Sequence, residues 1–296
     1  MRMKTQIFRR EVTYALFILP ALVLYCIFFV NPTLKTFWYS FTNWSDVNPV
    51  HVKFVGLANY KVLFEDSIYL TGISNTFIYA VLSTVIISSI AIPLSVLLNK
   101  PLVTRNLLRS VFFTPAVFSI LVIGFLWNFM YSPSDFGLIN RLVEWLGFSR
   151  INFLGDPKLA LYSVIFTQIW QWTGYNMVIF LANLQSISKD YYEAATIDGA
   201  NEMQSFQYIT LPLLLPSITF VTVTGMINGM KIFDIIYAMT SGGPGYATET
   251  IVSLMIKKGI SEGFYSHGAA FGMVFVGIVG IITFIQMKFI SRWDTK

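Results

Sequence analysis

The sequence predicts an all-α integral membrane protein with six membrane-spanning helices. Hydrophobic residues make up 55% of the chain and charged residues only 12%, about half the charged share that is usual in soluble domains. Mean hydropathy is +0.64. Six apolar stretches are each long enough to cross about 30 Å of hydrocarbon as a helix. We therefore expect residues 1–296 to form a single transmembrane domain.

The predicted spans are separated by short polar segments. They cover approximately residues 12–30, 75–98, 107–131, 159–184, 211–230 and 268–290. The first stretch is too long for the hydrophobic region of a signal peptide, and no small-residue cleavage site follows it. We therefore expect it to be retained as the first span.

The distribution of basic residues predicts that both termini are cytoplasmic. Basic residues near a span favour the cytoplasmic side, and they occur in the amino-terminal tail, in the turn after the second span and at the carboxyl end. The net charge of +5 is explained by an anionic membrane surface, so we expect contact with membrane lipid and no nucleic-acid partner. One cysteine and two histidines are too few for a disulfide framework or a Cys/His metal set.

The segment 185–210 is a polar loop between the fourth and fifth predicted spans. Asp190 and Glu193 have the spacing of a capping box, which predicts that Asp190 caps a helix, and Gly199 permits the left-handed conformation that ends one. Asn201 and Gln204 repeat the capping pattern before a second helix. On the predicted topology this loop faces the cytoplasm, although it carries more acidic than basic residues. Composition alone leaves two interpretations open, an amphipathic surface helix and a docking site for a partner.

Specific residues of this loop resemble a known motif. Its letters are Glu193, Ala194, Ala195, Gly199, Ile209, Leu211 and Pro212. Their spacing resembles the EAA loop of binding-protein-dependent ABC importer permeases. Ser188 departs from the family's frequent proline, and we expect this departure to loosen the start of the loop helix without affecting docking.

Two outer segments carry the resemblance further. Residues 233–244, followed by Thr248-Glu249-Thr250, resemble the outer loop of carbohydrate-importer permeases, specifically the MalF- or UgpA-type half. Residues 54–60 match the same half. Mono-, di- and oligosaccharides and glycerol phosphate all fit this resemblance, which leaves open the ATPase, the type of bacterial envelope and whether this half alone binds the cargo.

The resemblance implies the transmembrane domain of a type I ABC importer in a bacterial inner (cytoplasmic) membrane. Its partners would be a second, MalG-type permease, a homodimeric ATPase and an extracytoplasmic solute-binding protein, and its substrate a sugar. ATP and magnesium would bind the ATPase, so we expect no cofactor in this chain and no enzymatic activity of its own. The residues implied to contact the ATPase are Glu193, Ala194, Ala195, Asp198 and Gly199.

Polar and aromatic residues in the fourth and fifth spans predict a sugar path, because polar groups inside a bilayer usually face the bundle interior or a cavity. The candidates are Trp172, Tyr175, Asn176, Thr224, Asn228, Lys231 and Asp234. These residues also have structural interpretations. The tryptophan could serve in packing, the threonine could bond to its own helix, and Lys231 could form an ion pair with Asp234. The motifs Gly225-x-x-x-Gly229 and Gly268-x-x-x-Gly272 are typical of helix packing, which we assign to the partner permease.

Two other functional classes are weighed against an importer subunit. The chain has no phosphate-binding G-x-x-x-x-G-K-[ST] motif, so a partner must supply ATP hydrolysis. A self-contained secondary transporter is the alternative, but the spans carry no series of carboxylates and the two halves show no evident repeat. A membrane enzyme is disfavoured because the spans contain no metal set and no nucleophile–base pair.

Overall fold

The computed structural model describes the backbone of residues 2–47 and 49–294 and the side chains of residues 13–47 and 49–288. No β-strand forms in this part of the chain, and an isolated bridge joins Thr42 to Phe54. The predicted all-α fold class is therefore confirmed. The α-helices are α1 (Arg2–Tyr25), α2 (Asn31–Tyr39), α3 (Ala58–Glu65), α4 (Ser67–Asn99), α5 (Arg105–Phe113), α6 (Ile120–Tyr131), α7 (Leu138–Trp145), α8 (Ala160–Ser186), α9 (Lys189–Ile197), α10 (Glu202–Ser205), α11 (Leu211–Leu213), α12 (Leu215–Met230), α13 (Asp234–Met239), α14 (Ile251–Ile256) and α15 (Tyr265–Asp294).

Three continuous helical segments are long and apolar enough to cross a membrane. They are Thr13–Tyr39, Ser67–Asn99 and Tyr265–Lys288. The first runs from α1 through a π-helical turn into α2, well beyond the predicted end at residue 30. The second begins eight residues before the predicted 75–98, because Asp66 caps α4 by accepting a hydrogen bond from the backbone of Ile68 at 2.8 Å.

Two further candidate spans, which correspond to the predicted spans 107–131 and 211–230, are bent pairs of helices. Arg105–Val117 meets Ile120–Tyr131 at 100°, and Glu202–Leu213 meets Leu215–Met230 at 62°. Proline stands close to both bends, and a proline removes a backbone donor from the helix ladder. Counting each bent pair as one span raises the number to five in the described residues.

The fourth predicted span, 159–184, corresponds to α8. At 27 residues this helix is long enough, but amide, hydroxyl and indole side chains lower its hydropathy, so it is not among the candidate spans. Several of these polar residues are covered by protein: Thr167, Gln168, Gln171 and Thr173 are buried. A helix enclosed by its neighbours does not need an apolar surface. The count of six spans therefore stays a prediction.

The chain divides into two compact units, and the single-domain assignment likewise stays a prediction. One unit comprises the described residues up to Glu65 together with Met255–Val276. Within it, the ring of Trp44 lies between those of Tyr39 and Tyr265, at centroid distances of 4.3 and 4.8 Å. Gly268 faces Gly259 of the same chain, where an added Cβ would lie 2.7 Å from the Gly259 Cα. Assigning the Gly268 motif to a partner permease is thus corrected, because its small surface already packs inside this unit.

The second unit comprises Asp66–Leu254 with the described residues from Gly277 onward. Its centre is formed by α4, which packs along α8 and α12. A Cβ on Gly229 would lie 2.7 Å from the Cα of Ala80, and one on Gly225 would lie 2.9 Å from the hydroxyl of Thr84. The Gly225-x-x-x-Gly229 motif therefore also packs within this chain, and it brings α12 against α4.

The segment between α6 and α8 is held by Asn140 and Arg150. The buried Asn140 amide donates to the carbonyls of Ser132 and Ile151, both at 3.0 Å. The guanidinium of Arg150 binds Glu144 at 2.6 Å and Asp135 at 2.7 Å, and these carboxylates raise its pKa above the usual value. These bonds connect α7 to the segments on either side of it, residues 132–135 and 150–151.

Candidate functional site

A cavity of about 550 Å³ lies among α4, α8 and α12. Close packing of α12 on α4 sets one side of it, through Gly225 and Gly229. Its volume falls within the roughly 300–1,000 Å³ that is usual for small-molecule sites. The lining residues are Tyr79, Ser83, Thr84, Ile87, Ile120, Gln168, Trp172, Tyr175, Asn176, Ile179, Phe220, Val221, Thr224, Gly225, Asn228, Gly229, Lys231, Ile232, Phe233 and Asp234.

All seven residues predicted for a sugar path line this one cavity. They come from α8, from α12 and from the residues after α12 up to the start of α13, and 48 positions separate Asn176 of α8 from Thr224 of α12 in the sequence. Their function as a path stays a prediction.

The hydrogen-bonding groups of these residues differ in how far they are already occupied. The Asn176 amide donates to the carbonyl of Trp172 at 2.9 Å, and the Thr224 hydroxyl donates to that of Phe220 at 2.6 Å. The helix-bonded interpretation thus holds for Thr224. The exposed Asn228 side chain makes no hydrogen bond within the described residues, and no ion pair there joins Lys231 to Asp234. The site's most available polar groups therefore belong to the last turn of α12 and the residues that follow it.

Aromatic rings form the other part of the lining. Trp172 and Tyr175 pack edge to face, with ring centroids 5.6 Å apart, and Phe220 and Phe233 also line the cavity. Tyr175 is 43% exposed, so its ring is available to a ligand. The cavity thus combines apolar ring surfaces with amide and hydroxyl groups.

Residues of α4 complete the site, and sequence reasoning missed them. Tyr79, Ser83 and Thr84 line the cavity, and within the described chain the buried oxygens Tyr79 Oη and Thr84 Oγ1 have no hydrogen-bond partner. The available signal was the pair Ser83–Thr84 in an otherwise apolar run, because intramembrane polar residues usually mark an interior surface. Gln168 Oε1 and Trp172 Nε1 of α8 are also buried without a partner in the described residues.

The loop 185–210 folds as two helices joined by a glycine corner, as the sequence predicts. Gly199 has φ +80°, its amide donates to the carbonyl of Thr196 at 3.1 Å, and that of Ala200 donates to Ala195 at 2.9 Å. This pair of bonds is the Schellman arrangement that ends a helix at a left-handed residue. Both bonds of the predicted Asn201–Gln204 capping box form, at 2.8 and 2.9 Å.

The predicted cap at Asp190 is wrong. α9 begins at Lys189, and its cap is Ser188, whose hydroxyl accepts from the backbone of Asp190 at 3.3 Å. Serine at this position therefore satisfies a helix-terminal donor instead of loosening the helix start. Asp190 lies in the first turn of α9, where its negative charge interacts favourably with the helix dipole.

One contact holds this loop together, and a second ties it to the rest of its unit. The hydroxyls of Tyr192 and Thr210 lie 3.0 Å apart, which ties α9 to the π-helical turn Phe206–Thr210. Lys100, after α4, forms a surface ion pair with Glu202 at 3.0 Å. The residues implied to contact an ATPase remain accessible: Glu193, Ala194, Asp198 and Gly199 are exposed and Ala195 is half-buried.

Replacing Asn201 by alanine is expected to loosen the start of α10. Loss of an amino-terminal cap costs about 1 kcal/mol, so amide exchange over residues 202–206 should rise roughly fivefold by mass-resolved hydrogen exchange. Asn201→Asp keeps the cap and should exchange at the native rate. Equal exchange in the Ala and Asp variants would contradict the capping role.

Comparison with known proteins identifies the family. Residues 91–293 match the family described as the binding-protein-dependent transport system inner membrane component. The arabinooligosaccharides transport system permease AraP of Halalkalibacterium halodurans is 34% identical, over 94% of this chain and 87% of its own length. The trehalose/maltose transport system permease MalF of Thermococcus litoralis is 36% identical, over 92% of each chain.

A solved structure shows the same fold. A chain of a bacterial ABC transporter that imports the acidic polysaccharide alginate superposes with a TM-score of 0.84, at 24% identity, over 99% of both chains. The helical arrangement is therefore that of a type I ABC importer permease. With the family match over most of its length, this chain belongs to the binding-protein-dependent transport system inner membrane components, the membrane-embedded permeases of ABC importers.

Proposed function

We propose that this chain is one of two permease subunits of an ATP-driven sugar importer and that its cavity forms half of the translocation path. The observation that carries the proposal is the convergence of Trp172, Tyr175, Asn228 and the other predicted path residues on one cavity. Relatives that carry arabinooligosaccharides or trehalose and maltose support a saccharide as cargo.

The chemistry of the lining suits a saccharide. The ring faces of Trp172 and Tyr175 match the apolar faces of pyranose rings, and the Asn228 amide can both donate to and accept from hydroxyl groups. Asn176 already donates to its own helix, so its carbonyl oxygen is the group left to accept. The buried atoms Gln168 Oε1 and Trp172 Nε1 have no partner in the described residues, and a sugar hydroxyl can donate to the first and accept from the second.

The exposed helix α9 is the proposed docking element for an ATPase. ATP and magnesium would bind a homodimeric ATPase, and this chain would contribute Glu193, Ala194, Ala195, Asp198 and Gly199 to the contact. The Tyr192–Thr210 bond and the capped corner connect α9 to α12 through α10 and α11. A movement of α9 would therefore reach the helix that lines the cavity.

The family match supports the rest of the proposed assembly. A second, MalG-type permease would complete the path, and a solute-binding protein would deliver the sugar from outside. In the membrane we propose six spans: the three continuous helices, the two bent pairs and α8, which packs on α4, α5 and α12, with both termini cytoplasmic in a bacterial inner membrane.

Purification of this chain under mild conditions from its native membrane, with mass identification of stoichiometric partners, tests the proposal. We expect a second permease and two copies of an ATPase. Recovery of the chain alone or as a homodimer that moves solute without ATP would favour the secondary-transporter alternative, which the family match does not support.

A further inference from the structure

The described residues that line the cavity include one positively charged and one negatively charged side chain. Lys231 and Asp234 are the charged residues among those that line the cavity in the described chain. They lie three positions apart, directly after α12 and at the start of α13. One positive and one negative group so close together leave no net charge to attract an ionic ligand.

The other lining residues in the described part of the chain carry no charge that could pair with an ion. Along α12 the lining runs from Phe220 to Asn228 before it reaches Lys231, and the facing residues of α4 and α8 carry hydroxyl, amide, indole and phenol groups. A carboxylate placed in this part would lose water without gaining a cation, which is costly in a protein interior or a membrane. The hydroxyl groups of a neutral sugar lose little free energy on entering, because amides and hydroxyls of the cavity replace their hydrogen bonds to water.

We propose that this cavity selects uncharged saccharides and discriminates against saccharides that carry carboxylates. This inference rests on the proposed sugar path. The alginate importer has a permease of the same fold and an acidic cargo, so the fold does not decide the charge of the cargo. Selection by charge therefore depends on the side chains of the site, and in this chain the surface beside Trp172, Thr224 and Asn228 is neutral.

Matched pairs of saccharides test the proposal on the complete transporter. The pairs are trimers of galactose and galacturonate, mannose and mannuronate, and glucose and glucuronate, which differ only by oxidation of C6. Binding is measured calorimetrically on the transporter in nanodiscs, arrested with ATP on an ATPase that cannot hydrolyse it, and without the solute-binding protein. We expect the neutral trimer of at least one pair to bind at least tenfold more tightly than its acidic counterpart.

A charge introduced into the cavity supplies the second arm. Asn228→Lys should strengthen binding of the acidic trimer at least tenfold, and so reduce or reverse the preference for the neutral trimer. Asn106→Lys, which adds the same charge to an exposed position of α5 outside the cavity, should leave the preference unchanged.

The outcomes distinguish failure of the charge preference from failure of the proposed sugar path. Acidic trimers that bind the native transporter as tightly as neutral ones would overturn the inference and leave the sugar path standing. An equal response of the two lysine variants would also overturn it. Absence of binding by every trimer, neutral and acidic, would overturn the sugar path itself and the inference with it.

Discussion

Replacing Gly199 by valine is expected to reduce transport at least tenfold while the chain still inserts into the membrane. Gly199 has φ +80°, and a Cβ there would meet nothing within 4 Å. The penalty is therefore conformational: a residue with a side chain loses about 1–2 kcal/mol in the left-handed region, and a β-branched residue is least suited to it. The corner between α9 and α10 would open and weaken the connection from α9 to α12. Saccharide uptake and saccharide-stimulated ATP hydrolysis in proteoliposomes measure the effect.

The chain offers a matched control for this substitution. Gly147, at the end of α7, has φ +86° and equally open surroundings, and its amide and that of Phe148 donate to Glu144 and Val143 in the same pattern. Gly147→Val carries the same backbone penalty outside the loop 185–210 and should keep most of the uptake. Gly199→Asn should also keep most of it, because asparagine tolerates this conformation. Normal uptake by Gly199→Val, or an equal loss in Gly147→Val, would show that the corner has no special part in coupling.

Reversing the charge of Glu193 tests the proposed docking surface on α9. The Glu193 carboxylate is exposed and has no hydrogen bond or ion pair in the described part of the chain, so Glu193→Lys leaves the internal contacts intact. We expect it to abolish uptake together with co-purification of the ATPase. Normal uptake in this variant would contradict the docking role of α9.

Replacing Tyr175 by alanine is expected to lower saccharide uptake about tenfold, which corresponds to about 1.4 kcal/mol. The ring is 43% exposed, lines the cavity and packs edge to face on Trp172. Its removal deletes one of the surfaces on which a sugar ring would rest and the support of a second. Uptake of radiolabelled saccharide by the complete transporter in proteoliposomes, over a range of concentrations, measures the loss.

Tyr162 is the control for Tyr175. It lies on the same helix, is 53% exposed and does not line the cavity, so Tyr162→Ala should leave uptake within about twofold of native. Tyr175→Phe keeps the ring and should retain most of the uptake. If both alanine variants behave alike, the effect reflects α8 as a whole. If Tyr175→Phe is as poor as Tyr175→Ala, the phenol hydroxyl matters and ring stacking does not.

The sequence determines the all-helical membrane class and much of the loop 185–210 because both depend on local chemistry. Apolar composition decides whether a segment can partition into hydrocarbon. Gly199 permits a backbone conformation that other residues resist, and Asn201 and Gln204 bond to amides three positions away. Each property is set by residues that are adjacent or nearly so, whatever the rest of the chain does.

Local chemistry also explains the error at Asp190. Ser188 and Asp190 are both capping residue types, and the sequence alone offers two competing starts for α9. The structure selects Ser188, so that the helix follows α8 with little intervening chain and Tyr192 comes within 3.0 Å of Thr210. That contact joins residues 18 positions apart, which capping patterns do not report.

Only the tertiary structure decided which faces of the helices meet. It brought α4 to the cavity through Tyr79, Ser83 and Thr84, and it placed Gly225 and Gly229 against α4 of this same chain. It also enclosed α8, whose hydropathy is too low for a candidate span. Hydropathy describes how a segment divides between water and lipid. The lining of a cavity depends instead on the rotation and bending of packed helices, which are set by contacts between residues far apart in the sequence.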